Sequence, residues 1–340
     1  MCVVLCLSFS RHKGCESAIA MAMRSYGHIC VGIAALVFAT VAGWTACGAP
    51  SHVQNATIRV GSYNIRYVAG DRGTENDWQK RRADLVAQVR SLNFDAFGLQ
   101  EVDPEQMHDL RTDLPEFAFV GEHRNPDRKS GEASPVAYRK DRFDLVEAKT
   151  FWLSETPDVP GSMTKSWDAA CRRVCTYAIL SDRRTGKRLC YVNAHVDFRS
   201  PANEKGMRLI LDRMKDFAAG IPVVFTGDHN CVETDKSSEM ASGVLKNALY
   251  ASESPPEGPW LTLCLFPRRD SLIPCVEAIK TPISERVSKE GCNKFGVRID
   301  YIYVSPSVRV LNYRTDSTLR HGLDLYPSDH FPVVATLLLQ

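Results

Sequence analysis

The sequence predicts a mixed α/β or α+β fold, a single domain of about 285 residues. Three observations lead there. Short β-branched and aromatic runs outnumber helical stretches. Both long amphipathic helices fall between strands. After residue 50 there is no internal repeat, no low-complexity tract and no composition shift that would mark a second domain.

The elements follow in chain order. After a polar linker over Ser51–Ala56, Ile58–Ile65 reads as a strand. Trp78, Leu85, Val86, Val89 and Leu92 repeat at helical spacing, which predicts a helix over Trp78–Leu92 capped by Asn76 or Asp77. Phe94–Leu99 is a short strand running into Gln100-Glu101. Phe117–Gly121, Pro135–Arg139 and Phe143–Leu153 are strand-like. Thr176–Ser181 and Arg188–Ala194 flank Thr185-Gly186, a hairpin signal. Ala202–Phe217 is a second amphipathic helix, Ile221–Thr226 a buried strand and Lys236–Leu249 a third helix. Residues 252–295 are rich in Pro and Gly and read as loops. Arg298–Val304, Val308–Arg314 and Pro332–Leu338 are the closing strands.

Composition is that of an ordinary globular chain: 340 residues, 44% hydrophobic and 24% charged, with a net charge of +2. Arg11, Lys13, Arg24 and Glu16 account for that charge, leaving 39 basic and 39 acidic residues beyond Cys47. A neutral body argues against a protein that coats nucleic acid through phosphate contacts alone, though not against a local basic cleft. Residues 1–50 read as a leader and linker, and 51–340 as the folded domain. Ile29–Ala46 is an 18-residue uncharged run preceded by Arg24, with Met21 and Met23 just before it. This pattern predicts export, with Met23 as an alternative start. Trp44-Thr45-Ala46-Cys47 resembles a lipoprotein cleavage site that would lipidate Cys47 and attach the protein to a membrane. A secreted product and an uncleaved anchor are the other two fates. Seven Cys lie beyond Cys47, so at least one has no partner within that region. Cys264, Cys275 and Cys292 share a loop-rich region and are the disulfide candidates. Cys171-x₃-Cys175 lacks the second pair a zinc site needs.

Polar groups recur where strands end. They are Asn64, Glu101, Tyr138, His195 with Asp197, Asp228 with Asn230, Asp300, and Asp329 with His330. One such residue alone reads as a turn or cap. Together they supply what phosphoester hydrolysis needs: oxygen ligands for Mg²⁺, a base for water, and donors around a phosphate.

In their order, Ser62–Ile65, Leu99–Glu101, Asn193–Asp197, Gly227–Asn230, Arg298–Tyr303 and Ser328–Val333 resemble the motifs of the endonuclease/exonuclease/phosphatase superfamily, across Ile58–Leu338. Glu75–Trp78 and Phe151–Ser154 are similar to segments of its bacterial exported metal-dependent hydrolases. The resemblance implies a four-layer sandwich, two mostly antiparallel β-sheets flanked by helices, with the site at one edge. It implies a Mg²⁺-dependent phosphoesterase, Mn²⁺ being an alternative cofactor. Glu101 and Asp329 would be metal ligands, with Asn64 completing the metal site by holding a metal-bound water or a phosphate oxygen. Asp228 would orient or deprotonate the attacking water, and Asn230 would donate to the phosphate. His330 would face the phosphate, oriented by Asp300. His195 and Tyr138 would donate to phosphoryl or leaving-group oxygens. Whether the base is Asp228 or the Asp300–His330 pair stays open. Two positions depart from the family pattern. His229 stands where Gly-Asp-Phe-Asn has an aromatic, read as a packing substitute or a tuner of pH response. Phe198 stands where related sequences often carry His.

The resemblance implies a phosphoester substrate: a sugar phosphate, a nucleic acid or a phospholipid. Between Val232 and Asn293 no dense run of basic and aromatic residues signals a nuclease, and Pro259-Trp260-Leu261 and Leu265-Phe266 only hint at a sphingomyelinase-like hairpin. Among non-enzymes, an inactive binding module on the same fold would lack Glu101, Asp228 or His330, and all three are present. No obligate protein partner is implied. Trp167, Asp168 and Arg173 are pocket candidates; Trp78 is another, with a core anchor as its stronger reading. Arg139 and Arg142 read as a solvated edge, and Lys80–Arg82 as a solvated helix face.

Overall fold

In a computed structural model, residues 57–266 and 297–339 are described. The leader, Cys47, Cys275 and Cys292 lie outside them.

Strands β1 (Thr57–Asn64), β2 (Ala96–Gln100), β3 (Phe117–Val120), β4 (Val136–Arg139), β11 (Arg309–Thr315) and β12 (Val333–Leu338) form one sheet in the order β11-β12-β1-β2-β4-β3. Strands β5 (Phe143–Trp152), β6 (Val174–Asp182), β7 (Arg188–His195), β8 (Val223–Asp228), β9 (Lys246–Asn247) and β10 (Asp300–Val304) form the other, in the order β5-β6-β7-β8-β10-β9. Each sheet is antiparallel except at one pair, β1 with β2 and β7 with β8. Strand alternation sends Ile58, Val60, Leu180, Tyr191, Val224 and Ile302 into one core between the sheets. The outer face of the first sheet packs against α1 (Trp78–Leu92) and α2 (Pro104–Asp113). That of the second packs against α3 (Ser200–Phe217) and α4 (Lys236–Ser242). The result is the expected four-layer sandwich, held mainly by burial of large apolar side chains at ~1.5–3 kcal/mol each.

Helix α1 has the bounds its periodicity predicts. Asp77 accepts from Gln79 N at 3.1 Å, and Asn93 ends it in a left-handed conformation (φ 50°). The sequence reading missed α2. Its apolar stripe is thin, and its signals are Pro104 at the first turn and a capping box between Asp103 and Gln106. The helix expected over Lys236–Leu249 breaks at Gly243: α4 stops at Ser242, and β9 and a single turn, α5 (Ala248–Ala251), follow.

Two arginines read as solvated are buried. Arg81 donates to the carbonyls of Asn76, Ile65, Pro327 and Arg66 at 2.6–3.0 Å. Burial lowers its pKa to about 10. Arg142 pairs with Asp95 and Asp182 at 2.6 and 3.1 Å. In both cases backbone carbonyls or carboxylates replace the lost water. Trp78 is a core anchor whose indole donates to Asp109 Oδ2 at 2.8 Å.

Candidate active site

Strand register brings the polar strand ends together. In the parallel pairs Asn64 lies beside Gln100, one residue before Glu101, and His195 lies beside Asp228. In the antiparallel pair β8/β10, Asp228 faces Asp300. A buried amide locks the two sheets at this end. Asn193 donates to the Leu99 and Pro135 carbonyls at 2.7 and 3.0 Å, and its oxygen accepts from Gln100 and Thr226 at 2.7 and 3.1 Å. The crossing needs Gly98, where a Cβ would stand 2.2 Å from Asn193 Oδ1.

Asp228 is the hub. Its Oδ2 accepts from Asn64 Nδ2 at 3.0 Å and lies 3.4 Å from His195 Nε2 and 3.8 Å from His330 Nε2. Its Oδ1 accepts from Asn230 N at 2.9 Å. Burial and the neighbouring Asp300 raise its pKa against the pull of His330. His330 Nδ1 sits 2.8 Å from Asp300 Oδ2. Burial alone would lower this imidazole. The carboxylates of Asp300, Asp228 and Asp329 outweigh it and hold the ring well above its ordinary value, as an imidazolium.

His195 has the opposite character. Burial and the Arg173 guanidinium push its pKa well below the ordinary value. Arg173 Nη1 lies 2.8 Å from His195 Nδ1. A guanidinium only donates, so Nδ1 accepts and the proton of the neutral ring sits on Nε2. The Nε2–H faces the Asp228 carboxylate, 3.4 Å away, while the neighbouring Asn230 amide nitrogen donates to the Val196 carbonyl at 3.0 Å. Behind Arg173 lies Glu132, 3.5 Å from it and 2.7 Å from Arg124. Trp152 fixes that loop by donating its indole N–H to the Arg124 carbonyl at 2.7 Å.

Glu101 follows β2 in a left-handed conformation (φ 62°), uncommon for a residue with a side chain. Its Oε1 accepts from Asn64 Nδ2 at 3.1 Å and its Oε2 from Tyr67 N at 2.9 Å. Asn64 Oδ1 accepts from Arg66 N. Asn64 therefore clamps two acids through its NH₂ while its oxygen accepts from the backbone. Asp329 lies 3.4 Å from Arg66 Nη1, and its pKa is raised by burial and by Glu101.

Of the nine expected site residues, eight meet at this end of the sandwich. Tyr138 does not. It sits in the core between the sheets, opposite Ala96 at the far end of β2 from Glu101. A strand residue two positions earlier on the same strand, Val136, already pairs with Gly98, so the register carries Tyr138 away from the site. Asp197 serves the fold: its carboxylate accepts from Ala170 N and Arg199 N at 2.9 Å. His229 packs at 1° to the Tyr303 ring, with neither nitrogen hydrogen-bonded. Trp167 donates to Glu155, and exposed Asp168 pairs with Arg199. Arg66, Arg124 and Glu132 were missed. Arg66 directly follows the Asn64 motif, which was a usable signal. Glu132 lies in a polar loop, and nothing local in the sequence distinguishes it.

The donor set fits a divalent cation. Glu101 and Asp228 bring carboxylate oxygens within 4.8 Å of one another, and so do Asp228 and Asp300. Buried Asp228, Asp300 and Asp329 beside Glu101 outnumber the one imidazolium among them, and a cation would relieve that excess.

A two-sheet sandwich with carboxylates, amides and imidazoles collected at the ends of its parallel strand pairs defines a hydrolytic scaffold. Residues 61–330 match the Endonuclease/Exonuclease/phosphatase family, and the chain belongs to it. Members are generally hydrolases of phosphoesters that depend on a divalent metal. An endonuclease/exonuclease/phosphatase from Bacteroides vulgatus is 30% identical, with a TM-score of 0.70 over 84% of this chain and 99% of that one. A mannosyl-6-phosphatase from Bacteroides thetaiotaomicron is 31% identical, with a TM-score of 0.69 over 83% and 100%. The catalytic domain of human nocturnin, 17% identical at a TM-score of 0.58 over 83% and 94%, shares the fold. A protein of Acanthamoeba polyphaga mimivirus is 23% identical over 158 residues, which spans 45% of this chain and 59% of that protein.

Proposed function

We propose that the chain is a Mg²⁺- or Mn²⁺-dependent phosphoesterase that cleaves a phosphomonoester or phosphodiester by attack of water. The observation that carries this reading is the convergence on Asp228 Oδ2 of Asn64, His195 and His330 within 3.8 Å. Glu101 and Asp329 would hold the cation, with the carboxylates beside them. A bound divalent cation withdraws charge from the phosphate oxygens and offsets the buried acids.

Everything else is supplied by side chains of the chain. Asp228, whose pKa is raised by burial and by Asp300, is a strengthened base placed to take the proton of the attacking water. The imidazolium of His330, held by Asp300, stabilises charge that builds on the phosphoryl oxygens as the P–O ester bond breaks. His195 donates through Nε2–H, its tautomer fixed by Arg173. Asn230 adds an amide donor. The leaving oxygen takes its proton from the His330 imidazolium; Asp228 then releases the proton it gained and His330 takes one up, both in exchange with solvent, so the two groups return to their starting states.

The mannosyl-6-phosphatase, at 31% identity over 83% of the chain, favours a sugar phosphate as substrate class. Export, with lipidation at Cys47, rests on the leader sequence. Screening sugar phosphates, nucleic acids and phospholipids with the purified protein, with Asp228→Asn as the blank, tests the reading. Release of phosphate or alcohol by the wild type alone supports it. Equal rates in both, or none on any class, would count against it.

A further inference from the structure

A second basic feature lies beside the candidate site. A groove of about 340 Å³ runs between α2 and the loop joining β3 to β4, lined by His108, Arg111, His123, Arg128 and Lys129. Arg128 lies 3.5 Å from Glu122, but neither Arg111 nor Lys129 has an ion-pair partner among the described residues. Asp127, also on the loop, accepts from Lys129 N, Ser130 N and Ser130 Oγ at 2.8–3.1 Å. His123 is only 9% exposed. Its Nδ1 donates to the Gly131 carbonyl at 2.7 Å, which leaves Nε2 without a protein partner on a ring that lines the groove. The cationic side chains of Arg111 and Lys129 on the same lining, with no ion-pair partner among the described residues, suit an anion.

The groove is built, and it is coupled to the site. The loop is pinned by paired backbone bonds, Arg124 N to Glu132 O and Asn125 N to Ser130 O. Ala133 bridges both Val102, the neighbour of Glu101, and His123. From the same loop, Arg124 reaches Glu132 behind His195. One side of the loop thus backs the catalytic imidazole, and the other lines the groove.

We infer that this groove is a second phosphate subsite and that the substrate carries another phosphate besides the one cleaved. The inference rests on the phosphoesterase reading of the site. A diphosphorylated sugar and a nucleic acid strand share the required chemistry.

Two measurements separate failure of the groove from failure of that reading. The first is a titration of inorganic phosphate into the protein, followed by the ring resonances of His123, with His123→Gln giving the assignment. In the wild type the His123 signal should shift saturably, and in the Arg111→Gln/Lys129→Gln double variant the shift should weaken about tenfold. Both arginine and lysine are exposed, so the double variant should fold normally. A His123 signal indifferent to phosphate overturns the inference whether or not the enzyme turns anything over. The second compares kcat/KM for a sugar monophosphate, the matching bisphosphate and a short oligonucleotide. The wild type should prefer the bisphosphate or the oligonucleotide, and whichever it prefers identifies the source. The double variant should lose that preference through KM while leaving monophosphate turnover unchanged. A wild type without preference, or a preference that survives in the double variant, also overturns it.

Discussion

Replacing His229 with phenylalanine should stabilise the protein, and more so in acid. The ring is fully buried against Phe225 and Tyr303, at centroid distances of 4.6 and 5.7 Å, and neither nitrogen is hydrogen-bonded. Burial pushes its pKa down to about 3, with Asp300 opposing. On unfolding the ring regains an ordinary value near 6.5. The unfolded chain therefore binds the extra proton. Stability is intact above pH ~6.5 and declines as pH falls from there toward the folded value. At pH 5, about 1.5 units lower, the loss is roughly 2 kcal/mol, from about 1.36 kcal/mol per unit. The substitution abolishes this loss and also removes two buried, unpaired nitrogens, worth ~1–3 kcal/mol at any pH. Urea unfolding near neutral pH and at about pH 5 reads both effects: the variant's advantage should grow by roughly 2 kcal/mol in acid. An advantage that is the same at both pH values would refute the argument that His229 is neutral and buried. Net destabilisation would refute the reading that it occupies an aromatic position.

Other perturbations address the site. Asp300→Asn removes the charge that holds the His330 imidazolium, so kcat/KM should fall about 10- to 150-fold, the ~1.5–3 kcal/mol of a charged hydrogen bond. The loss should deepen as pH rises, because the remaining His330 deprotonates earlier; a flat pH profile of the mutant-to-wild-type ratio would contradict it. Arg173→Met should lower kcat more than it raises KM, because His195 loses the partner that fixes its tautomer, and Arg173→Lys should recover part of the loss. Asn193→Leu should cost ~3 kcal/mol or more in urea unfolding, since it strands the Leu99 and Pro135 carbonyls and Gln100 between the sheets. A cost below 1 kcal/mol would mean that the latch is dispensable, given that unsatisfied buried groups each cost ~1–3 kcal/mol.

The fold was legible where periodicity is strong. Helix α1 stands where its helical spacing puts it, because one buried face dictates that pattern, and the β6/β7 hairpin, buried on both faces, is marked by the Thr185-Gly186 turn between two apolar runs. Helix α2 was illegible because only Met107, Leu110 and the flanking Leu114 carry its buried stripe. The site was legible as a set of strand-end residues because register does the gathering. Tyr138 shows the limit of that reasoning: it shares the residue type and the strand, but it lies at the wrong position along the register. Arg81 and Arg142 show another, since nothing local tells a solvated guanidinium from one that meets four carbonyls or two carboxylates. The basic groove was missed for a similar reason. Its cations come from a helix and a loop separated in sequence, and a search for one dense basic run passes over them.

The most direct test of the central claim is the metal dependence of phosphoester hydrolysis, in the wild type and in Glu101→Gln. Activity removed by EDTA and restored by Mg²⁺ or Mn²⁺ is expected, with Glu101→Gln needing far more metal for half-activation and losing orders of magnitude in kcat/KM. Turnover that survives EDTA, or a Glu101→Gln variant with wild-type metal response, would contradict the account.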